Sequence, residues 1–230
     1  MDLTLVIPCF NEEGNVEALV REARETLQGA VSGYEIVAVD DGSTDGTWVL
    51  LERLAAEQPD VRPLRHQSNR GMGAAVRTGI VAARGDFVLV APGDNQFPLD
   101  QVPAMLAAAR TADVVVGHRG SAYQTAGRSL PSWLYSVGMR VLFGLRMRGE
   151  VNLYRRAALD GMAATSDGFF GNTELLIRAL RKGARAMAVS VRFRERAAGR
   201  ATGRDPRRIL QVFGETARFF LRLQLERLRR

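Results

Sequence analysis

Tyr34-Glu35-Ile36-Val37-Ala38-Val39-Asp40-Asp41-Gly42-Ser43-Thr44-Asp45-Gly46-Thr47 runs from an apolar segment into two carboxylates, a glycine turn and a cluster of Ser, Thr and Asp. A short apolar run bounded by turn residues reads as a buried strand, here Tyr34 to Val39. Ser, Thr and Asp are good caps for a following helix, which the spacing starts at Thr47 and carries to Leu54. The same order recurs on both sides. Leu3 to Pro8 reads as a strand and Asn15 to Leu27 as a helix. Val61 to Arg65 is followed by a helix over Gly71 to Ala83, and Phe87 to Val90 by one around Val102 to Ala109. Val114 to Val116 is a fifth strand. Strands and helices alternating at this spacing imply βαβ units and a mainly parallel sheet. Such sheets bind ligands beyond the carboxyl ends of their strands, where the polar clusters of this chain lie.

Further along the pattern loosens. Ser129 to Leu145 reads as an apolar helix, Thr173 to Arg181 as a short helix ended by Gly183, and Ala186 to Phe193 as a strand. Arg194 to Asp205 reads as a Gly- and Arg-rich loop, and Ile209 to Leu228 as a final helix. No internal repeat or low-complexity linker interrupts the chain.

The composition is that of an ordinary globular protein: 230 residues, 46% hydrophobic and 25% charged, enough to bury a sizeable core. The single cysteine, Cys9, excludes an internal disulfide and a Cys-rich metal site. Met1-Asp2 leads straight into the first strand, without the basic region of a signal peptide. No apolar run approaches the roughly 20 residues of a membrane-spanning helix. The net charge is +7, and Lys182 is the only lysine, so the positive charge is nearly all guanidinium. Arg suits phosphate because its planar fork binds two oxygens at once, although Arg-rich usage also follows from genome composition. Modest aromatic content and the lack of any known module argue against nucleic acid as a partner.

Two strand-end turns carry the chemistry. In Asp40-Asp41-Gly42-Ser43 a carboxylate can accept from a ribose hydroxyl or a base N–H; equally, both acids suit a turn and cap. In Pro92-Gly93-Asp94-Asn95-Gln96 an acid and two amides offer the oxygens that Mg²⁺ or Mn²⁺ prefers, though the string is also an ordinary turn. His66 and His118 are too distant in sequence to suggest a metal pair, and Cys9 reads as a small buried residue.

The strings "VIPCFNEEGNV", "YEIVAVDDGSTDGT", "NRGMGAAVRTGIVAARGDFVLV" and "GDNQFP", in this order, resemble the family 2 glycosyltransferases, and within them the polyprenol- (dolichol-) phosphate sugar synthases. The later stretch "NTELLIRALRKGARAMAVSVRFRERAAGR" is similar to that family's acceptor side. The resemblance implies a GT-A fold, a nucleotide-diphospho-sugar transferase architecture with a mainly parallel central sheet flanked by helices. Residues 1–203 would form the GT-A domain, 1–117 its nucleotide-sugar half and 118–203 its acceptor half, with 204–230 a basic amphipathic helix. It implies that Pro8, Phe10, Glu12, Val39, Asp41 and Gly93 line the nucleotide pocket, with Asp94 and Gln96 at the metal and diphosphate. Arg119 and Arg196 would hold phosphate, and Glu174 would stand near the acceptor; alternatively Thr173 and Glu174 merely open a helix. The family usually places two acids, one residue apart, at the metal. Here the first is Pro92, which leaves Asp94 alone.

The implied reaction is inverting transfer of a hexose from a GDP- or UDP-sugar to polyprenyl phosphate, assisted by Mg²⁺ or Mn²⁺. A hydroxyl acceptor would need a general base, whereas a lipid phosphate is already anionic at pH 7 and needs positioning by cations. Arg119, Arg128, Arg155, Arg156, Arg196 and Arg200 are the candidates. A transfer to a soluble or protein hydroxyl, or a non-catalytic sugar-nucleotide-binding role, stays open. From Arg204 on, eight Arg face three acids, and these surround Ile209, Val212, Phe213, Phe220, Leu223 and Leu228. Such a helix either lies on an anionic membrane, with Trp133 and Tyr135 as interfacial anchors, or packs on the domain with snorkelling Arg. The first reading places the protein in the cytoplasm, peripheral on the inner face of the cell membrane.

Overall fold

The computed structural model describes residues 1–119, 130–145, 149–162, 164–195 and 206–228. Its strands are β1 (Leu3–Cys9), β2 (Tyr34–Asp40), β3 (Val61–Arg65), β4 (Phe87–Val90), β5 (Val114–Arg119), β6 (Val151–Arg155) and β7 (Ala186–Val191). Its helices are α1 (Val16–Ala30), α2 (Thr47–Glu57), α3 (Met72–Ala82), α4 (Val102–Ala108), α5 (Leu130–Phe143), α6 (Gly171–Arg181) and α7 (Pro206–Leu228).

The strands form one seven-stranded sheet in the order β3-β2-β1-β4-β6-β5-β7. β1 runs parallel to β2 and β4, β2 to β3, and β5 to β7. Only β6 is antiparallel to its neighbours, β4 and β5. Both faces of the central strands are covered, which is why β1, β2, β4 and β5 read as largely apolar runs. Leu5, Ile7, Ile36, Ala38, Leu89, Val115 and Leu153 face one core, closed by Leu19 and Leu27 of α1, Leu51 of α2 and Met105 of α4. Val6, Val88, Val90, Val114, Val116 and Tyr154 face the other, closed by Val76 of α3, Met139 of α5, Leu176 of α6 and Phe219 of α7. Pro63 sits in β3, an edge strand, where its missing N–H is tolerated.

β6 is the element that the sequence pattern does not announce. Its Val151, Asn152, Leu153 and Tyr154 are all buried, yet two of the four are polar. Asn152 is accommodated by donating from Nδ2 to Asn172 Oδ1 at 3.3 Å on α6.

The last helix is packed into the domain rather than standing off it. Phe219 and Leu223 are buried with Glu215 and Thr216. Phe219 stacks among Phe143 and Phe170, Phe220 meets Phe143, and Phe213 meets Tyr135 edge-on. Its opposite side leaves Leu210, Leu221, Leu225 and Leu228 exposed. Among the described residues no helix is long and apolar enough to cross a membrane.

Candidate active site

The loops that leave β1 and β2 are laced together. Asn11 adopts φ +56°, and its Oδ1 accepts from Thr44 N at 2.8 Å while its own N–H donates to Ser43 Oγ. Glu12 N donates to Thr47 Oγ1, and Gly46 N to Glu13 Oε2. Asp45, just before the Gly46 cap of α2, accepts from Thr47 N at 3.0 Å. The Ser-Thr-Asp cluster is therefore used in holding loop to loop.

The two neighbouring acids divide their work. Asp40 is buried at the end of β2, accepts from Ser43 N at 3.0 Å and pairs with Arg65 at 3.1 Å, so it is a turn residue. Asp41 lines a cavity and also organises its wall. It accepts from Arg70 N at 3.0 Å and Gly71 N at 2.7 Å, and it meets the His66 ring at 2.6 Å. Gly71, at φ +99°, turns the chain into α3. Gly73 lets α3 start against the backbone of residues 166–168, where its N–H donates to Asp167 O at 2.7 Å.

The cavity has a volume of about 460 Å³ and opens beyond the carboxyl ends of β1, β2 and β4. Pro8, Phe10, Glu12 and Asp41 line one side, Gly93 and Asp94 another. The remaining wall was not legible in advance: Asn69, Gly71 and Met72 at the start of α3, Gly168 and Phe169, and Gln211 from α7. Glu215, one turn after Gln211, accepts from Gln211 Nε2 at 3.0 Å and from Phe170 N at 3.3 Å. Gly168 is what admits the Glu215 carboxylate so closely. The last helix thus builds part of the cavity.

Asp94 begins a tight turn in which its Oδ1 accepts from Gln96 N at 3.2 Å. Asn95 at φ +56° is held by the Arg194 fork, from Nε to its backbone O at 2.7 Å and from Nη2 to its Oδ1 at 2.6 Å. Arg194 also pairs with Glu22. Cys9 lies under the cavity, and burial together with Glu12, Asp40 and Asp45 pushes its thiol far above the usual range. It remains a protonated, non-nucleophilic thiol.

A family model for glycosyl transferase family 2 matches residues 4–176. The chain belongs to this family. Among its relatives is the undecaprenyl-phosphate mannosyltransferase of Micrococcus luteus, 32% identical over 213 residues that make up 86% of each chain. An undecaprenyl-phosphate 4-deoxy-4-formamido-L-arabinose transferase of Pseudomonas fluorescens is 33% identical over 70% of this chain and 49% of its own length. The chain thus spans about half the length of several curated relatives that it matches. Glucosyl-3-phosphoglycerate synthase of Mycobacterium tuberculosis, solved with Mn²⁺, UDP and glucosyl-3-phosphoglycerate, superposes with a TM-score of 0.72 at 21% identity. It covers 95% of this chain and 79% of that one. The family 2 chain therefore has a GT-A-like fold.

Several residues expected at the site lie elsewhere in this family 2 structure. Val39 is fully buried and packs with Val37 and with Ala75 of α3, so Ala75 takes the lining position and Val39 lies beneath it. Gln96 follows the left-handed Asn95 and points out to Arg194 O at 3.4 Å. Arg119, at the end of β5, pairs with Glu150 at 3.0 Å and lies over the Phe193 ring at 4.3 Å. Arg155 lies over Phe87 and close to Asp113. Arg156 opens a short 3₁₀ turn, so Arg119, Arg155 and Arg156 all lie outside the cavity wall. Glu174, in the first turn of α6, is fully buried and accepts from Thr165 N, Ser166 N and Arg178 Nε, so its carboxylate holds the preceding loop to the helix and is not among the cavity-lining groups. Arg128, Arg196 and Arg200 fall outside the described residues. Among the described residues no group of three or more His, Cys, Asp or Glu side chains converges to hold a metal by itself.

Proposed function

We propose that this family 2 chain transfers a hexose from a GDP- or UDP-sugar to a polyprenyl phosphate, with a divalent cation between Asp94 and the donor diphosphate. The carrying observation is the acidity of the cavity wall: the carboxylates Glu12, Asp41 and Asp94 line it, and no Lys or Arg is among the lining residues that the structure describes. A diphosphate entering such a wall meets net repulsion unless a cation comes with it. Mg²⁺ commonly uses one or two carboxylates and completes its shell with phosphate oxygens and water, so a single acid fits. When bound, the ion would stabilise the charge that develops on the departing diphosphate.

The chain's own residues do the rest. Asp41 offers an acceptor to the nucleoside, and Phe10 and Pro8 give an apolar edge beside it. Because the Glu174 carboxylate is enclosed, it is out of reach as a base for a hydroxyl acceptor. That favours an acceptor that is already anionic, as the Micrococcus luteus relative's name implies for that protein. Calorimetry with UDP and GDP tests the donor reading. Mn²⁺ is expected to tighten one of them at least about fivefold, the lower end of ordinary coupling between two ligands. No nucleotide binding with metal present would remove the transferase reading, and binding without transfer would leave a sugar-nucleotide-binding protein.

We place the site at the cytoplasmic membrane surface. Leu210, Leu221, Leu225 and Leu228 are exposed along α7, with Arg218, Arg222 and Arg227 beside them, and Trp133, Val137 and Val141 are exposed on α5. Arg beside exposed leucines suits an anionic headgroup layer. Leu221→Glu combined with Leu225→Glu should lower partitioning onto phosphatidylglycerol vesicles by more than about tenfold, since each buried leucine contributes roughly 1.5–3 kcal/mol. The melting temperature should change little, because both side chains are more than half exposed. Equal partitioning of the double variant and the parent would refute the membrane contact.

A further inference from the structure

His66 follows β3 directly and is 7% exposed. Its backbone N–H donates to Asp40 O at 2.9 Å, which continues the register between β3 and β2. Both ring nitrogens are engaged: Nδ1 lies 2.6 Å from Asp41 Oδ1, and Nε2 lies 2.9 Å from Thr78 Oγ1 on α3. A carboxylate is acceptor-only, so Nδ1 carries the N–H that donates to Asp41. The Thr78 hydroxyl then fixes the ring from its other end.

The remaining partners of Asp41 give this chain its meaning. Oδ1 also accepts from Arg70 N, and Oδ2 accepts from Gly71 N. A carboxylate offers about four acceptor positions, so one stays available, on Oδ2, in a side chain that lines the cavity. The two backbone donors belong to the very loop that Asp41 organises. They fix the carboxylate relative to the loop and not relative to the sheet. His66 supplies the second fixture, from the end of β3 and, through Thr78, from the body of α3. Sites are held most accurately when the supporting contacts come from helices and strands.

We propose that His66 is a positioning residue for the donor site: it holds the Asp41 carboxylate so that the open position of Oδ2 meets an N–H of the nucleobase or a hydroxyl of the ribose. The inference rests on the nucleotide-sugar reading of the cavity. His66 touches no reacting atom, so its loss acts on donor affinity and leaves the chemical step alone.

The test compares the parent with His66→Ala and His66→Asn by calorimetry with UDP and GDP plus Mn²⁺, and by donor kinetics. In His66→Asn the amide N–H can stand near the place of Nδ1. His66→Ala is expected to raise Kd and donor KM about tenfold or more, the ordinary effect of losing a charge-assisted hydrogen bond, with kcat little changed. His66→Asn is expected to recover most of that loss. Unchanged affinity in His66→Ala overturns the inference. So do equal losses in both variants, or a fall in kcat in step with the rise in KM, because those assign the ring to general structure. A parent that binds neither nucleotide overturns the donor reading itself, a result that the variants alone cannot produce.

Discussion

Asp94→Ala is expected to abolish the metal-dependent part of nucleotide binding and to lower sugar transfer by about 10²–10³, the usual cost of removing one group that stabilises developing charge. Asp94 is the sole carboxylate of its turn, with Pro92 standing where a second acid is usual in the family. No neighbour in that turn can take its place: Asn95 is clamped by Arg194, and Gln96 points outward. The fold should tolerate the change, because the half-buried Asp94 has a turn bond to Gln96 N at 3.2 Å and sits at a cavity edge. Titrations of UDP or GDP at several Mn²⁺ concentrations are the measurement. If the variant shows the same Mn²⁺ dependence as the parent, the metal does not sit at Asp94. Arg194→Ala offers a graded companion, since it loosens the Asn95 turn and leaves the carboxylate in place.

The largest stability effect is expected from Glu174→Ala. The carboxylate is fully buried and accepts from Thr165 N at 3.0 Å, Ser166 N at 2.8 Å and Arg178 Nε at 2.8 Å. Removing it leaves two backbone N–H groups without their acceptor and reduces Arg178 to its longer pair with Glu226 at 3.7 Å, at a cost of about 3–5 kcal/mol. For a chain of this size that lowers the melting temperature by roughly 10 °C. The pH dependence has a definite sign. Burial alone would raise the Glu174 pKa, but the bonds from Ser166, Arg178 and Thr165 outweigh it and hold the carboxyl below its ordinary value. The stabilisation is therefore complete above the unfolded-state pKa of about 4.3 and is lost as pH falls through the lower folded value. Melts between neutral pH and pH 3 should show the parent losing stability on its acid side, with Glu174→Gln less stable at pH 7 and flatter below pH 4. A Glu174→Ala protein that melts with the parent would refute the account.

The legible part of this fold is the part with uniform burial. β1, β2, β4 and β5 are largely apolar on both faces, and the chain leaving β1, β2 and β4 runs directly into residues that line the cavity, among them Asp41 and Asp94. β6 was not legible because Asn152 and Tyr154 break the apolar run, and their burial depends on α6, which comes later in the chain. Val39 and Gln96 lie off the cavity lining for reasons of local geometry. Val39 is covered by Ala75 of α3, and Gln96 follows the left-handed Asn95. The wall made by Gly168, Phe169 and Gln211 depends on Glu215 reaching a glycine in a distant loop. The glycine of Asp167-Gly168 could have signalled a close approach, but not to what.

The place of β6 also bears on how the molecule assembles in time. β5 and β7 touch the rest of the sheet only through this five-residue strand. During synthesis the parallel block β3-β2-β1-β4 can form early, while β5 must wait unpaired until β6 emerges behind it. Pairings between segments so far apart in sequence form slowly, and a waiting apolar strand is open to association with other chains. Changes that weaken β6 should therefore reduce the yield of folded protein more than they reduce the stability of the molecules that do fold.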